Sequence, residues 1–296
     1  MKVIQPVIFQ STQLLSTTAV ETYSNYAAGT TYNTGDKVIY DYRVFESLVS
    51  SNTGNQPDTN PTKWLDIAPA NKYACFDNTI STQTTGTSPL VIEVQPGKIC
   101  NSLALLNITN GTSLDIEVKD GVGGTVVYSK TIDLDASIIL DWYMYFFEPF
   151  DLRDTVVLTD IPPYTNSVIK ITINGTGSVS LGNFIYGTAT EIGATQYGVT
   201  FGIRDYSIKD TDDFGNTVFV KRAFSRRMEP QLMLENTKLR YVSKLLSDLR
   251  ATPTVWVGSE DAQYEPLVIF GFYKDYTVDI QYPSASLIRV EIEGLI

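Results

Sequence analysis

Four carboxylates crowd one short aromatic stretch: Asp141, Glu148, Asp151 and Asp154 surround Trp142-Tyr143-Met144-Tyr145-Phe146-Phe147. Two acids flanking a groove are what glycoside hydrolysis requires, one to protonate the leaving oxygen and one to attack or to activate water. With 33 acidic residues in the chain, however, four acids near one another is what random placement supplies. A strand over 138–147, buried on both faces, accounts for the aromatic run without any groove. The chain has no histidine, which removes Ser-His-Asp and Cys-His catalysis, His-ligated metals and the commonest general base. No catalytic residue is therefore assigned, and the chain reads as non-enzymatic.

Metal chemistry is equally poorly supplied. Asp210-Thr211-Asp212-Asp213-Phe214-Gly215-Asn216 has acids at positions one and three and glycine at six of a calcium loop. Phe214 occupies position five and Lys221 position twelve, where oxygen ligands belong, so a hairpin turn fits better. Cys75 and Cys100 are the only cysteines; two cannot make a disulfide framework or a zinc site, and both are expected free and buried. No metal and no cofactor is expected.

Binding chemistry is richer in residues 23–64. Seven rings (Tyr23, Tyr26, Tyr32, Tyr40, Tyr42, Phe45, Trp64) sit among turn signals in about forty residues, a length that cannot build a deep core. The surplus of rings suggests an exposed platform. The pattern Tyr26-x-x-Gly29-x-x-Tyr32-x-x-Gly35-Asp36-x-Val38-x-Tyr40, then Phe45-x-Ser47-Leu48, Gly54-x-x-Pro57, Asn60-Pro61 and Trp64, resembles the small chitin- and cellulose-binding modules of families five and twelve. A similar unit recurs near the start of many tailed-bacteriophage virion proteins. The resemblance implies sugar stacking on Tyr32, Tyr40 and Trp64; the alternative is that Tyr40, Phe45 and Trp64 form the core of the module and bind nothing.

Net charge is −11 and the pI near 4.5, which argues against nucleic acid as the main ligand. Residues 221–250 invert this balance, with eight basic against three acidic residues, so the rest of the chain carries −16. Within that segment Arg222, Arg226 and Arg227 suit docking against an acidic neighbouring subunit. No apolar run approaches the length of a membrane-spanning helix, and the first fifteen residues do not read as a secretion signal.

The elements that must carry these residues are mostly strands. Residues 1–20 read as an extended arm that adds a strand to a neighbour. Residues 21–69 form the three-stranded aromatic module. Residues 70–189 carry strand signals near 90–94, 101–108, 113–119, 126–132, 138–147, 155–158, 167–173 and 178–186, separated by turn residues such as Asn110-Gly111, Pro162-Pro163 and Asn174-Gly175. Their spacing predicts a jelly-roll-like β-sandwich. Residues 190–296 predict an α+β domain with strands near 198–203, 217–221, 254–257, 267–273 and 287–292. Its single helix places Leu239, Val242, Leu245, Leu246 and Leu249 on one face, with Asn236 as cap and Pro253 as stop. The run Thr252-Pro253-Thr254-Val255-Trp256-Val257-Gly258 and the ending Glu293-Gly294-Leu295 resemble C-terminal domains of phage tail-associated proteins. The resemblances imply a structural component of a tailed-phage virion, in the tail or collar, assembled in the host cytoplasm. Its partners would be identical and other virion subunits and a host-surface polysaccharide. The alternative is a carbohydrate-binding protein or a glycan-degrading enzyme carrying such a module.

Overall fold

The computed structural model describes residues 1–137, 140–147, 151–211 and 214–296. Part of the strand expected over 138–147, together with Glu148 and two acids of the calcium-like loop, Asp212 and Asp213, lies outside the described residues.

The chain is mainly β with one main helix. Strands β1 (Lys2–Pro6) and β2 (Leu14–Thr17) precede the aromatic module, whose sheet is β3 (Lys37–Tyr40), β4 (Arg43–Ser47) and β5 (Trp64–Pro69). Strands β6 (Thr84–Thr87), β7 (Leu90–Val94), β8 (Ser102–Asp120) and β9 (Val126–Asp133) follow, then the short helix α1 (Trp142–Phe147), β10 (Val156–Leu158) and β11 (Ser167–Glu191).

β8 and β11 form one long antiparallel ribbon, each taking in two of the expected strands. The turn residues between those expected strands bend the ribbon rather than end it. Register slips at Gly175, where a Cβ would lie 2.0 Å from the Asn110 carbonyl oxygen, and Asn110 itself has φ +59°. Beyond the bend, β7 pairs with β11 and β9 with β8; before it, β10 pairs with β8, while β6 and β1 pair with β11. Leu103, Leu105 and Phe184 from one half meet Leu114, Ile116 and Ile171 from the other in a single core, so the folded ribbon makes both layers of the sandwich. Residues 114–118 alternate buried and half-buried, whereas 102–106 are buried throughout. The second stretch lies in a sheet covered on both faces: Leu103 and Leu105 face the sandwich core, Ala104 and Leu106 a separate cluster with Ile4, Val255 and Phe270.

The arm expected to leave the body does not. β1 lies inside the sheet, between β11 and strand β18 (Thr254–Val257), with Val3 opposite both Thr190 and Trp256, and Val3 and Ile4 are fully buried. Its approach to β11 is so close that a Cβ on Gly187 would meet the Gln5 carbonyl oxygen at 1.9 Å. β2 pairs with β7. The alternating apolar residues read as an arm are thus a core strand whose backbone is satisfied by its own chain.

Beyond β11 the same sheet continues with no break at 189/190. β12 (Ala194–Thr195), β13 (Thr200–Asp205), β14 (Ile208–Thr211), β15 (Thr217–Val220), β16 (Phe224–Glu229) and β17 (Gln231–Glu235) lead to helix α2 (Leu239–Asp248), then β18, β19 (Val268–Asp279) and β20 (Ala285–Gly294). The path β11-β1-β18-β19-β20-β16-β13 is hydrogen-bonded throughout. α2 buries Val242, Leu245 and Leu246 over Trp256, Ile269 and Val290. Asn236 does not cap it: Asn236 opens a preceding 3-10 turn and donates to the Tyr282 and Pro283 carbonyls, and Lys238 holds the cap position without a side-chain bond. Cys75 and Cys100 are free and buried, and burial pushes both thiols up to about 12.

Candidate functional site

In the aromatic module the structure overturns the exposed platform. Tyr32 and Trp64 are buried with Val38 and Phe45, and Tyr26 and the half-buried Tyr40 pack against them. Tyr26 and Tyr32 stack at 26°, and Trp64 meets both edge to face, at 90° and 68°, a geometry that fills volume and gives Trp64 no common plane with them. Their polar atoms are used internally: Trp64 Nε1 donates to the Asn55 carbonyl at 2.8 Å, Tyr32 Oη accepts from the Ala27 N–H at 2.8 Å, and Tyr40 Oη accepts from Gln56. Three short strands without disulfide or metal need these rings as their core. Tyr23 and Tyr42 are the more exposed rings, and Tyr42 leans on Tyr73 from the following turn.

The second aromatic cluster is the reverse. Trp142–Phe147 is a helix rather than the expected buried strand, started by Asp141, whose Oδ1 accepts the Met144 N–H at 2.8 Å. None of its residues is buried, and Trp142 is 78 % and Phe147 72 % exposed. The loop that carries it is closed at its root by hydrogen bonds from Ala136 N–H to Asp151 and from Arg153 N–H to Leu134.

Beside that root stands a second projection, the hairpin β14–β15. Every residue of both its strands is exposed. Consecutive Val218, Phe219 and Val220 point to alternate faces, so neither face rests on the body, and an isolated two-stranded ribbon is at best marginally stable in water. It grows from β13, which among the described residues pairs with β16 alone and forms the end of the main sheet. Of 35 exposed large apolar side chains among the described residues, seven lie in 140–152 and nine in 201–224. Such a concentration exceeds the scattered apolar exposure of an ordinary surface.

Charged groups fix both roots. Asp154 accepts from Arg226 at 3.3 Å, linking the loop root to β16. Glu265 lies 3.5 Å from Arg153 and beside Asp154; burial, then the Asp154 carboxyl, push its carboxyl up to about 7. The hairpin root is tied by Glu293, which accepts from Arg204 at 3.2 Å, from Tyr206 at 3.0 Å and from Lys274. The Lys274 ammonium holds Glu293 below the usual carboxylate range. Of the three arginines expected to dock, Arg226 is engaged within the chain, while Arg222 and Arg227 are exposed. Sequence reasoning missed Glu293, Lys274 and Arg204, which are scattered over 89 positions and converge only through the sheet.

Of the acids weighed for glycoside hydrolysis, the three described ones hold separate positions. Asp141 caps α1, Asp151 is exposed at the loop root, and Asp154 faces Arg226. Asp154 helps raise the neighbouring Glu265 carboxyl, and each of these two acids faces an arginine, Arg226 and Arg153 respectively. Among the described residues no cluster of His, Cys, Asp or Glu could hold a metal, and no helix is long and apolar enough to cross a membrane. The chain matches no known protein family, no curated protein and no solved structure.

Proposed function

We propose that the chain is a non-enzymatic structural subunit of a tailed-phage virion, in its tail or collar region, which docks to identical and other subunits. The observation that carries this reading is the pair of uncovered apolar projections, the loop bearing α1, tied to β16 through Asp154 and Arg226, and the hairpin β14–β15 that grows from β13. Soluble domains seldom leave such surface open, and assembly covers it. The module resembling those of virion proteins supports the same reading. The module serves here as a compact spacer or docking unit; with Tyr32 and Trp64 in its core, stacking of host glycan on Tyr32, Tyr40 and Trp64 is left out of the proposal.

The test is compositional. Mass spectrometry of gradient-purified phage particles should recover the chain at a fixed ratio to the other structural subunits. Absence from the particles, or release of reducing ends from chitin, cellulose or bacterial surface polysaccharide by the purified chain, would overturn the reading.

A further inference from the structure

Among the described residues six strands of the main sheet have a single partner: β2, β6, β9, β10, β12 and β13. An open strand edge is a template for another chain, and proteins blunt it by shortening, bulging, charging or covering it. β10 has three residues and β12 two. The ladders of β2 and β9 are interrupted by register shifts, and β9 carries Lys130. β6 is covered: the Asn71 side-chain amide donates to the Thr85 carbonyl at 2.8 Å and accepts from the Thr85 N–H at 2.9 Å. β13 has none of these devices. Its six residues hold one unbroken register with β16, all but Gly202 are exposed, and they include neither lysine nor proline. The bond from the Tyr206 N–H to the Ala223 carbonyl continues this ladder and sets its phase. Thr200, Gly202 and Arg204 therefore bond β16, while the N–H and C=O groups of Phe201, Ile203 and Asp205 point away from it.

We infer that β13 pairs antiparallel with β13 of a second copy, about a two-fold axis through Gly202, so that two main sheets join into one. The order of side chains along the strand chooses the occupant. This register sets Phe201 of each copy opposite Ile203 of the other, an aromatic against a β-branched side chain made twice. It joins only outward-pointing groups, and it opposes Arg204 to Thr200, so no like charges face each other. At the axis Gly202 meets its own twin. A shift of two residues would instead set Phe201 against Asp205. The contact is isologous and uses each edge once, so it yields a dimer and not a filament.

This inference rests on the docking role proposed above, and its test is separate from the particle analysis. Sedimentation velocity and native mass spectrometry of the full chain should show a concentration-dependent dimer. Gly202 has room for a side chain, since the nearest atom to a Cβ there is Arg227 Nε at 3.9 Å. Paired at the axis, two such positions lie about 4.5 Å apart between Cα atoms, within disulfide reach. Gly202→Cys with oxidised glutathione should therefore give a covalent dimer, whereas Thr200→Cys, which faces Arg204 of the other copy, should not. Cys75 and Cys100 are buried, with thiols pushed up to about 12, and do not compete. Ile203→Pro removes an outward N–H and leaves the β16 ladder whole, so it should weaken dimerisation at least tenfold with unchanged circular dichroism. Should that variant fail to fold, the cysteine pair still decides. A wild-type monomer at the highest soluble concentration, an open ladder of oligomers, or equal cross-linking of both cysteine variants overturns the inference and leaves the role in the particle to particle composition. A monomeric wild type that enters particles, with a folded Ile203→Pro that does not, would give the edge to a strand of a different subunit instead.

Discussion

Two aromatic clusters of this chain have opposite fates. Around Trp64, rings from the strands and the turns between them close on one another, and Trp64 and Tyr32 hydrogen-bond to the backbone. Around Trp142, six consecutive residues wind into a helix of which none is buried. Ring content does not separate the two; the supply of cover does. The first cluster is spread over some forty residues whose turns return the strands to one another. The second is contiguous in sequence, so one helix holds its rings and nothing else among the described residues buries them.

The sharpest way to break the contrast is to remove the central ring of each cluster. Trp64→Ala leaves a void among Tyr26, Tyr32 and Phe45 and strands the Asn55 carbonyl, so the module should lose about 3–5 kcal/mol. Thermal unfolding followed by proteolysis of the 23–64 segment would read this, and retention of wild-type resistance would mean the rings are not its core.

A smaller effect lies beneath the uncovered cluster. Glu265 titrates near 7 instead of at its ordinary 4.5 because burial and Asp154 favour its neutral form. The folded state thus binds this proton more tightly than the unfolded state. The resulting stabilisation is complete below about 4.5 and is lost as pH rises through about 7. Wild-type stability should therefore fall between pH 5 and pH 8 by on the order of 1–2 kcal/mol more than that of Glu265→Gln, allowing for partial solvent screening. Parallel denaturant titrations of the two proteins across that range would measure it, and identical slopes would remove Glu265 from the root of the loop.

The smallest effect completes the comparison. Trp142→Ala should change the stability of the isolated chain by no more than about 0.5 kcal/mol, while reducing its binding of a hydrophobic dye. A loss comparable to that of Trp64→Ala would show that α1 is packed in solution and would erase the contrast.

These fates explain what was legible in the sequence. Strands 90–94 and 254–257 were read to the residue because their buried alternation or short apolar run is bounded by turn residues. α2 was legible from the spacing of Leu239, Val242, Leu245 and Leu246. The ribbon was read as four strands because Asn110-Gly111 and Asn174-Gly175 carry the same chemistry whether the chain reverses or bends. β1 reads as an arm in sequence because five residues cannot announce that their partners lie near 190 and 256. The helix at 142–147 was missed although Asp141, three residues before Met144, is a cap signal; aromatic residues favour strands, and that preference outweighed it. The module was legible in its boundaries but not in its exposure, since a ring pattern does not say which way the rings face. The ties at Glu293 were invisible for the same reason as the partners of β1.

The position of β1 also governs how the protein can be made. It leaves the ribosome well before both of its partners, Glu191–Gly187 on one side and Val255–Val257 on the other. Pairings this distant in sequence are slow to close and cannot begin before the partner has been synthesised. For most of translation Val3 and Ile4 must wait as a bare apolar strand with two open edges. A ribosome-stalled chain ending before residue 254 should leave this strand open to protease, whereas release of the whole chain should protect it. Newly made chains crowded on one messenger are therefore most exposed to wrong partners at this strand.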